Sequence, residues 1–475
     1  IGTFHVLGNY TNNGGNYFVE INGAGQSDLI DVGGTATING GTVIVASVDG
    51  TYNLNDTYTI VTAGSVTGTY STLVLTGVLV PLTLLNAELT YDPQHVYLNL
   101  KAGKANPISF VPATCNELAV ANELKSALVN PTIDQTILLA EFLGLSQAQN
   151  QSALDSLTGQ QHTDDLLSTS VVNRQFIRRL YDPVRPIITV DPCHCREINN
   201  AFCFWNEAGA GQTHLTGNGN AHGFDLDQYE VTFGMQDTFC SDWTLGLAAS
   251  YEYDQFRYKH AGKGSSKTWL VGFYGLYRPS RYYTLLDIAY GDSANIVDRP
   301  IDVGSTHYRV RSKPKISQIT CYGEVGVDFL FGRFLLQPFA GVEVGSYSRS
   351  RVVEQPVGSP GGWELVVNQR SRTNVFSRLG LHITTERLPY RFAVSLDLAW
   401  VKRLTCSDNA VNVRLVNFGG NFNINGVPLN SNSFDGAITI STHLCEQLRV
   451  YIEASGEAWN NAGTYNALGG AEFVW

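Results

Sequence analysis

Cys193-His194-Cys195, with Cys203 close behind, is the densest group of metal-capable side chains in the chain. Thiolate and imidazole suit zinc, but a closed site needs a second paired arm, and no Cys-x-x-Cys or His-x-x-x-His supplies one. Disulfides or cross-links are the expectation for Cys193, Cys195, Cys240 and Cys445, with free thiols or a metal as the alternatives. His162, Asp164 and Asp165 offer a carboxylate–histidine set. They open a helical stretch, however, where acids offset the macrodipole and cap free N–H groups, so capping is expected. Gly291-Asp292-Ser293 could hold a serine nucleophile, but that chemistry needs a strand-to-helix turn with Asp and His partners. Here a strand runs into a loop. No Gly-x-Ser-x-Gly elbow, His-Glu-x-x-His helix or phosphate-binding glycine loop occurs elsewhere. The sequence therefore gives no catalytic, cofactor-binding or metal-binding residue, and no cofactor is expected.

What positions these residues follows from composition. The 475 residues hold 31 Lys+Arg against 42 Asp+Glu, a net charge of −11. That balance argues against a nucleic-acid binder, whose affinity rests on a basic surface. Charged residues make up 15%, well below the roughly 25% of an ordinary soluble domain. With 47 Gly, 23 Tyr, 22 Phe and a single Met, β structure with many turns is indicated. No apolar run reaches the ~18 residues of a membrane helix; the nearest candidate, residues 73–85, is broken by Gly77 and Pro81. The chain opens in mid-pattern at Ile1-Gly2-Thr3, without an initiating Met or a signal peptide, and reads as the C-terminal part of a longer precursor.

Three textures follow one another. Residues 1–100 contain seven acids, fourteen Gly and no Lys or Arg. Their short β-branched runs, such as Tyr17-Phe18-Val19-Glu20-Ile21 and Thr42-Val43-Ile44-Val45, are separated by Gly and Asn corners. They predict the end of a β-solenoid, with residues 58–100 as its cap. Over 107–182 the apolar spacing turns helical. Leu118, Ala121, Leu124, Ala127 and Leu128 form one face; Ile133, Ile137, Leu138, Phe142 and Leu145 form another. The last helical stretch, 163–182, ends in Arg174, Arg178 and Arg179.

From about residue 198 the period becomes two. Trp243, Leu245, Leu247, Ala249, Tyr251 and Tyr253 alternate with Thr244, Gly246, Ala248, Ser250, Glu252 and Asp254. Twelve such strands can be placed. Tight connections at 238–241, 278–281, 331–333, 386–389 and 444–447 alternate with long polar ones at about 211–224, 256–266, 293–316, 348–372 and 404–432. A soluble sandwich has no reason to alternate in this way. A transmembrane barrel does, having short periplasmic turns, long outer loops and an apolar outer face. Tyr277, Tyr282, Tyr290, Tyr347, Trp400 and Trp459 suit its interfacial girdles. Cys240 and Cys445 fall in the periplasmic turns.

At this point the chain resembles the C-terminal region of an autotransporter of the type V secretion family. Gly8-Asn9-Tyr10-Thr11, Gly33-Gly34-Thr35-Ala36 and Thr57-Tyr58-Thr59-Ile60-Val61-Thr62-Ala63-Gly64 resemble the end of a pertactin-like passenger with its autochaperone. Ala153-Leu154-Asp155-Ser156-Leu157-Thr158-Gly159 resembles the linker. The resemblance implies a mostly β protein with a twelve-stranded antiparallel transmembrane barrel, a helical linker and an N-terminal β-helix end. The implied boundaries are 1–106 for the passenger end and autochaperone, 107–190 for the linker with its pore helix, and 191–475 for the barrel. The implied function is a non-enzymatic translocator in the Gram-negative outer membrane. It exports and anchors its own passenger, with residues 1–106 at the cell surface. Its implied partners are outer-membrane lipid, the barrel-assembly machinery, periplasmic chaperones and the passenger, with no nucleic acid and a monomeric barrel. Tyr465, Ala467, Ala471, Phe473 and Trp475 form the aromatic-ended last strand that the assembly machinery reads. Arg174, Arg178 and Arg179 would lie in the pore, facing inward acids such as Glu252, Asp287, Glu324, Glu343, Asp397 and Glu453. Eight cysteines are a departure, since exported segments of the family usually avoid disulfides. The alternatives are a surface adhesin or envelope protein whose β-helix carries the activity, and a porin-like channel.

Overall fold

Alternation held in phase over ten or more residues lets one face of a strand meet lipid while the other meets the lumen. In the computed structural model this pattern closes into a twelve-stranded antiparallel barrel. The structure describes residues 1–48, 52, 56–77, 85–102, 108–129, 131–181, 202–239, 242–358, 361–385, 392–405, 409–445 and 447–474. The barrel strands are β1 (Phe202–Leu215), β2 (Phe224–Phe239), β3 (Trp243–Tyr258), β4 (Lys263–Tyr277), β5 (Tyr282–Val303) and β6 (Lys315–Val327). They continue as β7 (Phe334–Arg349), β8 (Arg370–Thr385), β9 (Phe392–Arg403), β10 (Asn432–His443), β11 (Leu448–Trp459) and β12 (Ala462–Val474). Closure joins the first strand to the last, with Cys203 opposite Val474 and Leu215 opposite Ala462. Among the described residues each of the twelve strands pairs on both sides, as a hydrocarbon environment requires.

The faces follow the sequence phase. Trp243, Leu245, Leu247 and Tyr251 point outward, whereas Ser250, Glu252 and Asp254 are buried inside. Tyr277, Tyr282, Tyr290 and Trp400 lie on the outer surface. Tyr347 and Trp459, expected in the girdle, are instead buried and face the lumen. Their strands put them in phase with inward neighbours, and Tyr347 packs against Leu166 and Ile316. Proximity to a strand end marks a girdle residue only when the phase points to lipid.

The connections expected to be long and polar are largely structured. β5 runs on to Val303 and folds back through the strand Thr306–Ser312, with Asp298 opposite Arg311. The strands Val352–Val353, Leu365–Val367, Ala410–Leu415 and Phe422–Asn425 form a separate four-stranded sheet. Pairing continues beyond the membrane because the alternation does.

Three helices cover this outer structure: α1 (Cys115–Ala127), α2 (Ile133–Ala140) and α3 (Gln147–Thr158). Each starts on a capping hydroxyl, from Thr114, Thr132 and Ser146; the last two complete capping boxes with Gln135 and Gln149. Val120, Ala121, Leu124, Leu139, Leu154 and Leu157 bury against Val303, Tyr308, Trp363, Leu365, Val413 and Phe418. Leu118 and Ile137, expected in the core, are exposed. Ala121, Leu124 and Phe142 of the predicted faces are buried, and Val120 and Leu139 join them. This second apolar core, outside the barrel wall, makes a cap on the long-loop side.

The described strands up to residue 77 form parallel ladders. Thr3–Val6 pairs in parallel with Leu29–Asn39, and Leu29–Asn39 with Thr57–Thr69. Asn16–Ile21, Thr42–Ser47 and Thr72–Gly77 stack in the same sense. The parallel series stops at Thr57–Thr69, whose other edge pairs antiparallel with His95–Ala102, itself joined to Leu85–Tyr91. An antiparallel hairpin thus covers the last parallel edge.

Candidate functional site

A sequence with polar Arg, Asn and Ser on one side of a helix and Leu, Val and Phe on the other suits a lumen whose walls differ. Helix α4 (Gln161–Tyr181) lies inside the barrel. Phe176, Ile177 and Leu180 pack on Trp205, Leu270, Tyr274, Tyr283 and Tyr322. The wall comes so close at Gly272 that a Cβ there would sit 2.6 Å from a Leu180 methyl carbon. Leu167 and Val172 meet Phe224, Leu226, Phe256 and Trp459 nearer the long-loop side.

The arginines bind the wall. Arg174 donates from Nη1 to Glu457 at 2.9 Å, and its Nε lies 3.5 Å from Glu343. Arg178 donates to Asp435 at 2.8 Å, with Glu453 at 3.9 Å; Arg378 of the wall donates to the same Asp435. Arg179 has three carboxylates, Glu230 at 2.7 Å, Glu453 at 3.0 Å and Glu207 at 3.7 Å. Arg179 is 1% exposed. Charges withdrawn from water at such depth cost several kcal/mol each unless paired and hydrogen-bonded, so these contacts fix both the depth and the rotation of α4.

Of the acids expected to face the arginines, the structure brings Glu343 and Glu453 to them. Asp397 contacts His382 at 2.6 Å, and Glu324 accepts from the Tyr283 hydroxyl at 2.8 Å. Glu252 and Asp287 are buried in the lumen. Glu207, Glu230, Asp435 and Glu457 were missed. Their signal is an acid at an inward position in mid-strand.

At its outer end α4 is fastened to the cap. His162 Nε2 lies 2.8 Å from Glu354, which also receives a forked pair of bonds from Arg299, both 2.6 Å. Arg299 donates further to the Ser156 carbonyl in the last turn of α3 at 2.5 Å, where a cation complements the helix C-terminus. Burial pushes Glu354 up, but the charge of Arg299 and the His162 hydrogen bond outweigh it and hold the carboxyl at about 2. Arg349 donates to the His162 carbonyl at 2.7 Å and faces Asp165 at 3.4 Å. Asp165 accepts from the Leu166 N–H at 2.7 Å and Asp164 lies in the first turn, as capping requires, while His162 and Asp165 also take a docking role. The sequence hides it, because the partners lie about two hundred residues away.

Tyr465, Ala467 and Phe473 sit on the outer face of β12, with Ala471 in the same phase. Cys445 is exposed in a short turn and has no disulfide partner among the described residues. Cys193, Cys195, Cys240 and Trp475 lie outside the described residues. Ser293 is turned into the lumen and bonded to Thr268, whereas Asp292 points outward to Ser317. The Gly291-Asp292-Ser293 segment is therefore an ordinary stretch of β5.

A family model, the autotransporter beta-domain, matches residues 204–455. An extracellular serine protease of Serratia marcescens is 24% identical over 494 residues, covering 92% of this chain and 45% of the relative. The chain thus spans less than half the length of that relative. The translocator domain of the autotransporter NalP from Neisseria meningitidis superposes with a TM-score of 0.50 at 9% identity, over 64% of this chain and 97% of that one. The beta domain of the Bordetella autotransporter BrkA covers 57% of this chain and 99% of its own, at 16% identity and a TM-score of 0.42. The match covers more than half of the chain and falls on the barrel that is closed between its first and last strands, apolar towards lipid and charged within, and the chain belongs to the autotransporters as an outer-membrane translocator for a passenger.

Proposed function

We propose that residues 1–106 are the C-terminal end of the passenger, a β-helix terminus with its autochaperone hairpin. In this reading they stand outside the cell, and 107–190 is the linker that α4 leaves threaded through the pore. The polarity of α4 carries the proposal. Its first turn meets Glu354, Arg299 and Arg349 on the long-loop side, and its last turns meet Trp205 and Tyr283 towards the short turns. Both described barrel ends, Phe202 and Val474, also lie on the short-turn side. Chain preceding α4 therefore emerges on the face opposite to the barrel's own termini, as an exported segment must. Aromatic alternation on β12, including Tyr465 and Phe473, supports recognition by the barrel-assembly machinery, after delivery by periplasmic chaperones. The barrel works as a monomer and exerts no catalysis of its own. The Serratia relative is named as a protease; any such activity here would belong to the passenger.

Protease shaving of intact cells tests this reading. A cut that releases the N-terminal hundred residues, with the barrel left protected, is the expected outcome. Retention of that segment until the outer membrane is permeabilised would make the chain a channel with a periplasmic domain.

A further inference from the structure

Asp155 on α3, His222 in the β1–β2 connection and His260 in the β3–β4 connection converge outside the barrel wall. Asp155 Oδ2 lies 3.1 Å from His222 Nε2 and 3.1 Å from His260 Nδ1. The two imidazoles are stacked, with centroids 4.6 Å apart and planes 19° from parallel. We propose that these three side chains bind a divalent transition-metal ion of the zinc class, forming a clasp between the linker and the barrel. The proposal rests on the reading that the linker has emerged through the pore.

The geometry points to a metal in three ways. All three ligand atoms lie within 4.8 Å of one another. Around a tetrahedral zinc, with bonds of about 2.0–2.1 Å, ligand atoms sit roughly 3.3 Å apart, close to the two contacts present. Second, both rings turn a nitrogen towards the same carboxylate oxygen, Asp155 Oδ2, at 3.1 Å each, so the three donor atoms face one point from two loops and a helix. Third, the histidine loops are held from behind. Gln160 donates to the His222 carbonyl at 2.6 Å, and Gln161 to the Ala261 carbonyl at 2.8 Å. Such outer contacts orient metal ligands. Two nitrogens and one oxygen favour zinc and its neighbours over calcium or magnesium, which take oxygen. Side-chain exposures of 16%, 46% and 28% for Asp155, His222 and His260 leave a path for the ion and room for water to complete its shell.

Because Asp155 comes from the linker and the histidines from the barrel, the site is complete only after α3 has docked. The test is calorimetric titration of the purified full chain in detergent with zinc, in a Cys193→Ser, Cys195→Ser background so that those thiols do not compete. One zinc per chain is expected, lost in His222→Ala and in His260→Ala but kept in His214→Ala, which removes a histidine outside the cluster. Heat-modifiable gel mobility verifies that each variant retains its barrel. Absence of binding by the parent, or equal binding by parent, His222→Ala and His260→Ala, would overturn the site. Hydrogen exchange over residues 147–158 without metal separates the two readings. Protection there with no zinc uptake sinks the clasp alone, whereas no protection with or without zinc sinks the docked linker as well.

Discussion

At the scale of single residues, Arg179 is the centre of a buried charge cluster in the lumen. It is one guanidinium among three carboxylates, and Tyr451 also donates to Glu207 at 2.6 Å. A buried charge left without its partner is far worse than a pair never formed, by about 3–5 kcal/mol. Arg179→Leu removes the cation and leaves Glu207, Glu230 and Glu453 facing one another at the inner part of the lumen. The helix is then expected to loosen, and single-channel conductance in planar bilayers to rise above that of the parent. Arg179→Lys keeps the charge but loses the fork that reaches several acids at once, so it should fall between the two. Identical conductance in all three proteins would mean that the arginine cluster does not hold the helix in place.

At the scale of elements, the joint between α3 and α4 is the critical hinge of the path. Gly159 ends α3 in the left-handed conformation at φ +64°, and a Cβ there would come 2.2 Å from a Leu365 methyl carbon. Gly159→Ala would meet left-handed backbone strain of about 1–2 kcal/mol, with the overlap in addition. Faster hydrogen exchange over Gln147–Thr158 is the expected result, with the barrel strands unchanged. The elements differ in how plainly the sequence announces them. Strands such as β3 are legible because lipid and lumen impose opposite demands on successive residues, so the alternation repeats without interruption. The cap was not. Glu364-Leu365-Val366-Val367 and Val411-Asn412-Val413 are too short to declare an apolar core inside segments otherwise read as polar loops. Linker helices with apolar residues on several sides gave the wrong phase for Leu118 and Ile137. His222 and His260 carry no mutual spacing signal at all, since it is the pairing of β2 with β3, with Phe224 opposite Tyr258, that brings their two loops together.

At the scale of the whole molecule, two apolar bodies share one chain and obey different solvents. The barrel turns a large apolar face outward to lipid, where it needs no partner. The cap buries its own inward, as a water-soluble domain does, and α4 joins them through the lumen. The central side chain of the cap is Trp363, with no exposure. It stacks on Phe418 at 5.6 Å and meets Phe142 edge-on at 5.9 Å, so it links the 361–368 segment to the linker and to the 409–424 segment together. Truncating a buried tryptophan costs about 3–5 kcal/mol, a large share of what a small core supplies. The barrel's ladder and lipid face contain no part of that contact. Trp363→Ala should therefore open residues 108–158 to protease in detergent while the barrel keeps its heat-modifiable mobility on gels. Loss of both together would show that cap and barrel fold as one cooperative unit. Resistance of residues 108–158 in the variant would show that the arginine and histidine contacts at Glu354 hold the linker without the apolar core.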